Sequence, residues 1–301
     1  MKSKDLIQLF ILPYNPPNLF LFLGYVIFFI SIENKVFGLQ SLFENFILIS
    51  CVIVSVSGGL VLLNRASDIE EDKIKGRENL FTQGKVSQKI GILFSLVFYL
   101  ISLLFYSYLV INKSIFLIIL FFFFELATWW YSDSQYLGKL TGFRLKDHYI
   151  GEFFAYGLST PTFAASIWVI FGELNLRAIV TIISFIFLGI FSLLVNDIKD
   201  ISSDSKAGLN TIPSKYKIET LLKLSIFSLM AFILTFIIST ALSVFKITYI
   251  ILLIPLTLIL KVLIDFIIGD WEITEENRFD IKLISLTLFS SLILLVLASI
   301  I

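Results

Sequence analysis

Cysteine, histidine and net charge are all scarce in this chain. Its single cysteine, Cys51, lies inside an apolar run and excludes an internal disulfide. The 23 basic and 23 acidic residues cancel to a formal net charge of zero, so no bulk attraction to nucleic acid exists and no such partner is expected. No small-residue cleavage site follows the apolar part of MKSKDLIQLFILPYNPPNLF, so this segment reads as a retained amphipathic or re-entrant one, not a signal peptide. Nor do the apolar stretches alternate with polar residues, as the strands of a membrane barrel would.

Apolar length is abundant instead. The chain is 57% hydrophobic, has a mean hydropathy of +0.94 and carries 32 phenylalanines in 301 residues. Nine apolar segments stand out, at about 17–32, 39–63, 86–110, 114–131, 149–171, 177–195, 217–242, 247–268 and 279–301. About twenty apolar residues span a hydrocarbon core as a helix. In lipid each span must satisfy its own backbone hydrogen bonds, so the fold class is all-α and the protein a polytopic, integral membrane protein. Lys and Arg gather in alternate connections. Arg65, Lys73, Lys75, Arg77, Lys85 and Lys89 follow the second span, Lys139, Arg144 and Lys146 the fourth, and Lys199, Lys206 and Lys215 the sixth. The opposite connections hold little more than Lys35, Lys113, Arg177 and Lys246. The positive-inside rule then places the N-terminus and the basic connections in the cytoplasm, in a cytoplasmic or inner membrane.

Two of those cytoplasmic helix ends are acidic. In LLNRASDIEEDKIKG, Asn64, Asp68 and Asp72 recur every four residues, as side chains on one helix face do. In VNDIKDISSDSKAG, Asp197, Asp200 and Asp204 share a stripe at i, i+3 and i+7, with Asn196 beside it. Glu70, Glu71 and Lys199 lie off the stripes and read as solvated. A charge near the bilayer centre costs about 2.5–3.5 kcal/mol on insertion scales, less toward the interface. Two carboxylates about 4 Å apart repel by about 4 kcal/mol at an effective dielectric near 20. A cation between them reverses that sign, and hard oxygen ligands favour Mg²⁺ completed by substrate phosphates. The competing reading is a solvated, acidic loop face. No repeat is evident by residue identity, but the two acidic devices, four spans apart, suggest two related halves, about 1–148 and 149–301, within one domain covering 1–301.

Taken together, NRASDIEED and NDIKDISSD resemble the paired Asn/Asp-rich motifs of the UbiA superfamily of intramembrane prenyltransferases. AGLNTIP is similar to the family's continuation after the second motif, and Tyr131, Arg144, Lys146 and Glu152 match its middle loop. Two departures stand out. The prolines that usually follow the tyrosine-serine pair are replaced by residues 133–136, and Glu78 and Asn79 stand near where arginine-proline is usual. The resemblance implies nine helices around a cavity open to the lipid bilayer. It also implies Mg²⁺-dependent transfer of a polyprenyl group from its diphosphate to a hydrophobic acceptor, for which an aromatic compound is preferred over a lipid, a chlorin or a carotenoid. Asn64, Asp68, Asp72, Asp197, Asp200 and Asp204 would then hold metal, with Asp68, Asp72, Asp200 and Asp204 essential for catalysis. Arg144, Lys146 and Arg77 would grip the diphosphate, Arg as a fork and Lys as a point charge.

Glu125 sits inside a span and needs a partner or a cavity, so it is a candidate for the acceptor site with Tyr131 and Asn196. The alternative for Glu125 is a structural hydrogen bond. Trp129, Trp130 and Tyr156 offer aromatic walls, His148 reads as a solvated loop residue, and Lys261 and Asp265 are spaced to pair. Three rival activities remain. A terpene cyclase would close a ring after the same ionisation, and a transporter would do no chemistry. A CDP-alcohol phosphotransferase needs an aspartate-glycine step and an alanine-arginine step that DIKDISSDSKAG lacks.

Overall fold

The computed structural model describes residues 3–11, 16–32, 39–74, 76–207, 212–272 and 278–301, and among these every regular element is helical. In chain order the α-helices are α1 (Ser3–Ile11), α2 (Pro16–Ile32), α3 (Leu39–Ser67), α4 (Ile69–Ile74), α5 (Gln88–Val110), α6 (Ile115–Ser132) and α7 (Leu137–Thr141). They continue as α8 (Tyr149–Phe171), α9 (Leu176–Ala207), α10 (Ile212–Lys215), α11 (Ile218–Ala241), α12 (Leu253–Ile268) and α13 (Arg278–Ile300). Short 3-10 turns lie at Leu145–Asp147 and Ile247–Leu252. Eight helices of the described residues are long and apolar enough to cross a membrane, and the segment expected to be the first span forms the 17-residue α2.

The chain divides into two compact units. The first comprises Met1–Val26, Val36–Ala155 and Ile201–Thr211. Here α3 and α5 pack along their length, and α6 joins both. The face of α5 turned inward carries Gly91, Ser95, Tyr99, Ser102 and Tyr106, while Leu93, Leu96, Val97, Leu100 and Leu104 point outward. Such a distribution suits lipid as solvent, because small and polar side chains bring helices together where apolar ones gain nothing by hiding. Ser95 Oγ donates to the Gly59 carbonyl at 2.6 Å, and a Cβ at Gly59 would stand 2.8 Å from the Tyr99 ring. Ser87 and Ser114 cap the starts of α5 and α6 by accepting from Ile90 N and Phe116 N.

Beneath the first acidic motif lies a cluster of Leu9, Leu62, Leu63, Ala66, Leu80, Phe81, Val86 and Ile92. Leu9 of α1 is fully buried in it, and Phe10 meets Phe94 edge-on at 5.2 Å, while Ile7 and Ile11 stay exposed. The N-terminal segment is thus an amphipathic helix seated on α5. A Cβ at Gly91 would lie 2.5 Å from the Phe81 ring and 2.7 Å from Ala66 Cβ. Gly91→Val is therefore expected to lower stability by about 2–3 kcal/mol through overpacking, read as a fall in thermal unfolding temperature in detergent.

The second unit comprises Ile27–Lys35, Tyr156–Asp200 and Ile212–Ile301. Its core is aromatic: Phe28 stacks on Phe185 and meets Phe236 edge-on, and Trp168 is buried with its indole donating to the Glu173 carbonyl at 3.0 Å. Arg177 Nε donates to the Val244 carbonyl at 2.8 Å, which fixes the start of α9 against the turn before α12. Lys261 pairs with Asp265 one turn on, as its spacing predicts, and stands 3.7 Å from Asp280.

Candidate functional site

The first acidic motif straddles the end of α3. The helix is interrupted at Asp68, yet Asp68 N bonds the Asn64 carbonyl at 2.9 Å and Asp72 N bonds the Asp68 carbonyl at 2.7 Å. Helical spacing therefore continues through the break, but the three side chains find different partners. Asn64 Oδ1 accepts from Ser132 Oγ at 3.3 Å. Asp68, 7% exposed, lies 3.1 Å from Arg144 Nη1 and 2.5 Å from Lys146 Nζ. Asp72, 3% exposed, accepts from Arg65 Nη1 at 3.0 Å and Asn79 Nδ2 at 2.9 Å, and lies 3.5 Å from Arg77 Nη1.

Arg144 and Lys146 come from a loop about seventy-five positions downstream, which several devices hold rigid. Asp133, at the end of α6, accepts backbone hydrogens from Gln135, Tyr136 and Leu137 at 2.9, 3.0 and 2.6 Å. Gly142, at a φ of 82°, ends α7 in the left-handed region where glycine is unstrained. Asp147 reaches back to Arg144, accepting from its backbone N at 3.1 Å, its Nε at 3.0 Å and its Nη2 at 2.6 Å. A Cβ at Gly151 would stand 2.2 Å from the Leu145 carbonyl, so the chain packs against this turn only because glycine is there.

The expectation that Glu71 is merely solvated does not hold. Its side chain is 16% exposed and bridges both loop cations, with Oε1 2.8 Å from Arg144 Nη2 and Oε2 2.7 Å from Lys146 Nζ. Glu70, its neighbour, is exposed as expected and pairs with Lys73 at 2.8 Å. Burial pushes Asp68 up to about 6 against the pull of Lys146. Burial also works on Glu71, but Lys146 and Arg144 outweigh it and hold that carboxyl below its usual value. Arg144, despite burial, is driven above the ordinary guanidinium value by Asp147 and Glu71.

The second motif lies near the C-terminal end of α9, on one continuous helix. Asp197 is buried and Asn196 beside it is exposed; the side chains of Asp200, Asp204 and Lys199 lie outside the described residues. Among the described residues, no three carboxylate, histidine or cysteine side chains are grouped to hold a metal ion. Glu125 is buried and bonded to Ser102, and Tyr99 and Thr128 bond each other at 3.1 Å, so both pairs join α5 to α6. Tyr131 is half-buried, and Trp129 packs on the cluster under the motif. Trp130 donates to Thr141 Oγ1 at 3.1 Å, and His148 Nδ1 accepts from Ile150 N at 3.2 Å. Sequence reasoning missed Glu71, Asp147 and Asn79. For Glu71 the signal existed, since it stands three residues after Asp68 and so on nearly the same helix face.

Comparison with known proteins places this geometry in context. The model of the UbiA prenyltransferase family matches residues 16–293. An uncharacterized protein from Archaeoglobus fulgidus is 30% identical over 223 residues, which are 74% of this chain and 76% of that protein. A structure from work on digeranylgeranylglyceryl phosphate synthase in membranes superposes with a TM-score of 0.69 at 18% identity, covering 99% of both chains. A UbiA homologue from Aeropyrum pernix K1, without ligand, gives 0.66 at 14% identity over 94% of this chain and 97% of that one. A UbiA homologue from Archaeoglobus fulgidus bound to GPP and Mg²⁺ gives 0.61 at 15% identity over 94% and 95%. With nearly the whole length matched, and both acidic motifs and the basic loop inside the matched region, the chain belongs to the UbiA prenyltransferase family and is a prenyl-transferring membrane enzyme.

Proposed function

We propose that the protein transfers a polyprenyl group from its diphosphate to a hydrophobic, preferably aromatic, acceptor within the membrane, with Mg²⁺ as cofactor. The observation that carries this reading is the meeting of Asp68 with Arg144 and Lys146, 76 positions apart in the first of these pairs, at the end of a membrane helix. A buried carboxylate whose charged form burial disfavours is donor chemistry that suits a hard divalent cation. Support also comes from the Archaeoglobus homologue, which binds GPP and Mg²⁺. On this reading Asn64, Asp68, Asp72, Asp197, Asp200 and Asp204 would supply the metal ligands, nine helices span the membrane, and the site faces the cytoplasm.

Bound Mg²⁺ would neutralise charge on the leaving diphosphate. The chain's own part is to seat that diphosphate. Arg144 and Lys146, with Arg77 nearer solvent, present donors to its oxygens as the C1–O bond breaks and the electron pair departs with it. The allylic carbon then bonds to the acceptor, which loses a proton; aromatic walls favour the transient positive charge. Glu125 and Tyr131 remain candidates for the acceptor side, with Asn196. A lipid acceptor is the second reading, favoured by the likeness to the digeranylgeranylglyceryl phosphate synthase structure over 99% of both chains.

The test uses the full chain in nanodiscs with several prenyl diphosphates, with and without Mg²⁺, and a panel of aromatic and prenyl-glycerol acceptors. Mg²⁺-dependent pyrophosphate release, with one acceptor gaining the mass of the prenyl unit, is the expected result. A cyclic hydrocarbon formed without acceptor would replace transfer by cyclisation. No pyrophosphate release with any donor would remove the chemistry and leave an ion-binding or transport role.

A further inference from the structure

Before any substrate enters, the two loop cations already carry more negative charge than they can neutralise. Three carboxylates, Asp68, Glu71 and Asp147, contact Arg144 and Lys146. An incoming diphosphate would meet a cluster with one excess negative charge and would compete with these acids for the same two cations. Asp147 is tied into the turn itself through the backbone N of Arg144 at 3.1 Å and is needed to keep that turn closed. Asp68 is buried at the helix break and belongs to the metal-binding motif. Glu71 differs from both. It has the longer arm and places one oxygen on each cation, at 2.8 and 2.7 Å, as two oxygens of a single phosphate group would.

We propose that Glu71 is an internal counter-anion that occupies the diphosphate's place between Arg144 and Lys146 and is displaced when the diphosphate binds. This inference deepens the proposed function and rests on its assignment of Arg144 and Lys146 to the diphosphate. The arrangement does two things. It keeps two buried cations compensated and correctly aimed in the resting protein, where unpaired they would be costly. It also sets a threshold, because a ligand must offer at least two adjacent anionic acceptors to replace a bridging carboxylate, which favours a diphosphate over a monatomic anion such as chloride.

Inorganic pyrophosphate is the probe, titrated calorimetrically into the full chain in nanodiscs with Mg²⁺ removed by chelator, so that the readout is independent of turnover. Glu71→Gln removes the competing charge and is expected to tighten pyrophosphate binding about tenfold. Glu71→Asp, which keeps the charge on a shorter arm that cannot bridge as well, should fall between the two. A merely structural role for Glu71 predicts the opposite sign, since damage to the loop weakens binding. Lys146→Met, titrated well below its own measured unfolding temperature so that the chain is folded, should abolish binding and so identifies where the pyrophosphate sits. If Lys146→Met loses pyrophosphate while Glu71→Gln binds it no more tightly than the native chain, the counter-anion role is overturned and the diphosphate assignment stands. If Lys146→Met binds as well as the native chain, or the native chain does not bind at all, that assignment fails and this inference with it. Should Glu71→Gln not fold, Glu71→Asp decides by the same rule: tighter binding supports the displacement, unchanged or weaker binding overturns it.

Discussion

Asp68→Asn is expected to cut prenyl transfer by at least about 10³-fold while leaving the protein folded, because it removes an anion from the proposed metal site and keeps the shape of the side chain. The stability half follows from the sign of the shift. Burial raises the Asp68 carboxyl to about 6, so the folded state disfavours its charged form. A neutral amide of the same outline therefore relieves desolvation as it gives up the contacts with Arg144 and Lys146, and the two effects oppose each other. Thermal unfolding and single-turnover transfer, measured on the same nanodisc preparation, separate the two halves. Asp200→Asn should behave alike if the second motif supplies metal ligands. Near-native turnover in both variants would refute the metal assignment.

Lys146→Met has the opposite profile and should damage folding as well as activity. Lys146 is 7% exposed and stands 2.5 Å from Asp68 and 2.7 Å from Glu71. Removing it leaves two poorly solvated carboxylates facing each other with Arg144 alone between them, and breaking a buried pair in this way costs about 3–5 kcal/mol. A lowered unfolding temperature and a drop in kcat/KM of about 10²-fold or more are expected. Lys146→Arg should recover most of the stability but less of the activity, since a planar fork cannot sit where a compact ammonium does. An unfolding temperature equal to that of the native chain would show that the cluster is better hydrated than its burial implies.

The spans were legible because lipid imposes one requirement on every residue of a crossing helix. The eighteen residues of α6 carry a single charge, Glu125, and that length of apolar helix suits a bilayer. The acidic motif was legible as a stripe, and its backbone keeps that spacing. Its side-chain partners were not, because Arg144 and Lys146 stand more than seventy positions away and no periodicity connects them to Asp68; the resemblance of the middle loop pointed to them. Glu71 was misread because helical spacing distinguishes faces only coarsely, and an opposing charge outweighs a rotation of one residue. Glu125 shows the converse. The cost of an intramembrane acid predicts a partner correctly, yet only the packing of α5 on α6 makes that partner Ser102.

Asp133 bears on how the loop gets its stiffness. Where the resembled pattern would place prolines, this chain uses one carboxylate gathering three amide hydrogens. A ring acts by narrowing the unfolded ensemble and works equally in any solvent. A carboxylate acts by enthalpy in the folded state alone, and water or denaturant competes for the same hydrogens. The basic turn beyond it should therefore loosen earlier than the helices around it as urea is added, a sequence of events that a proline-built turn would not follow.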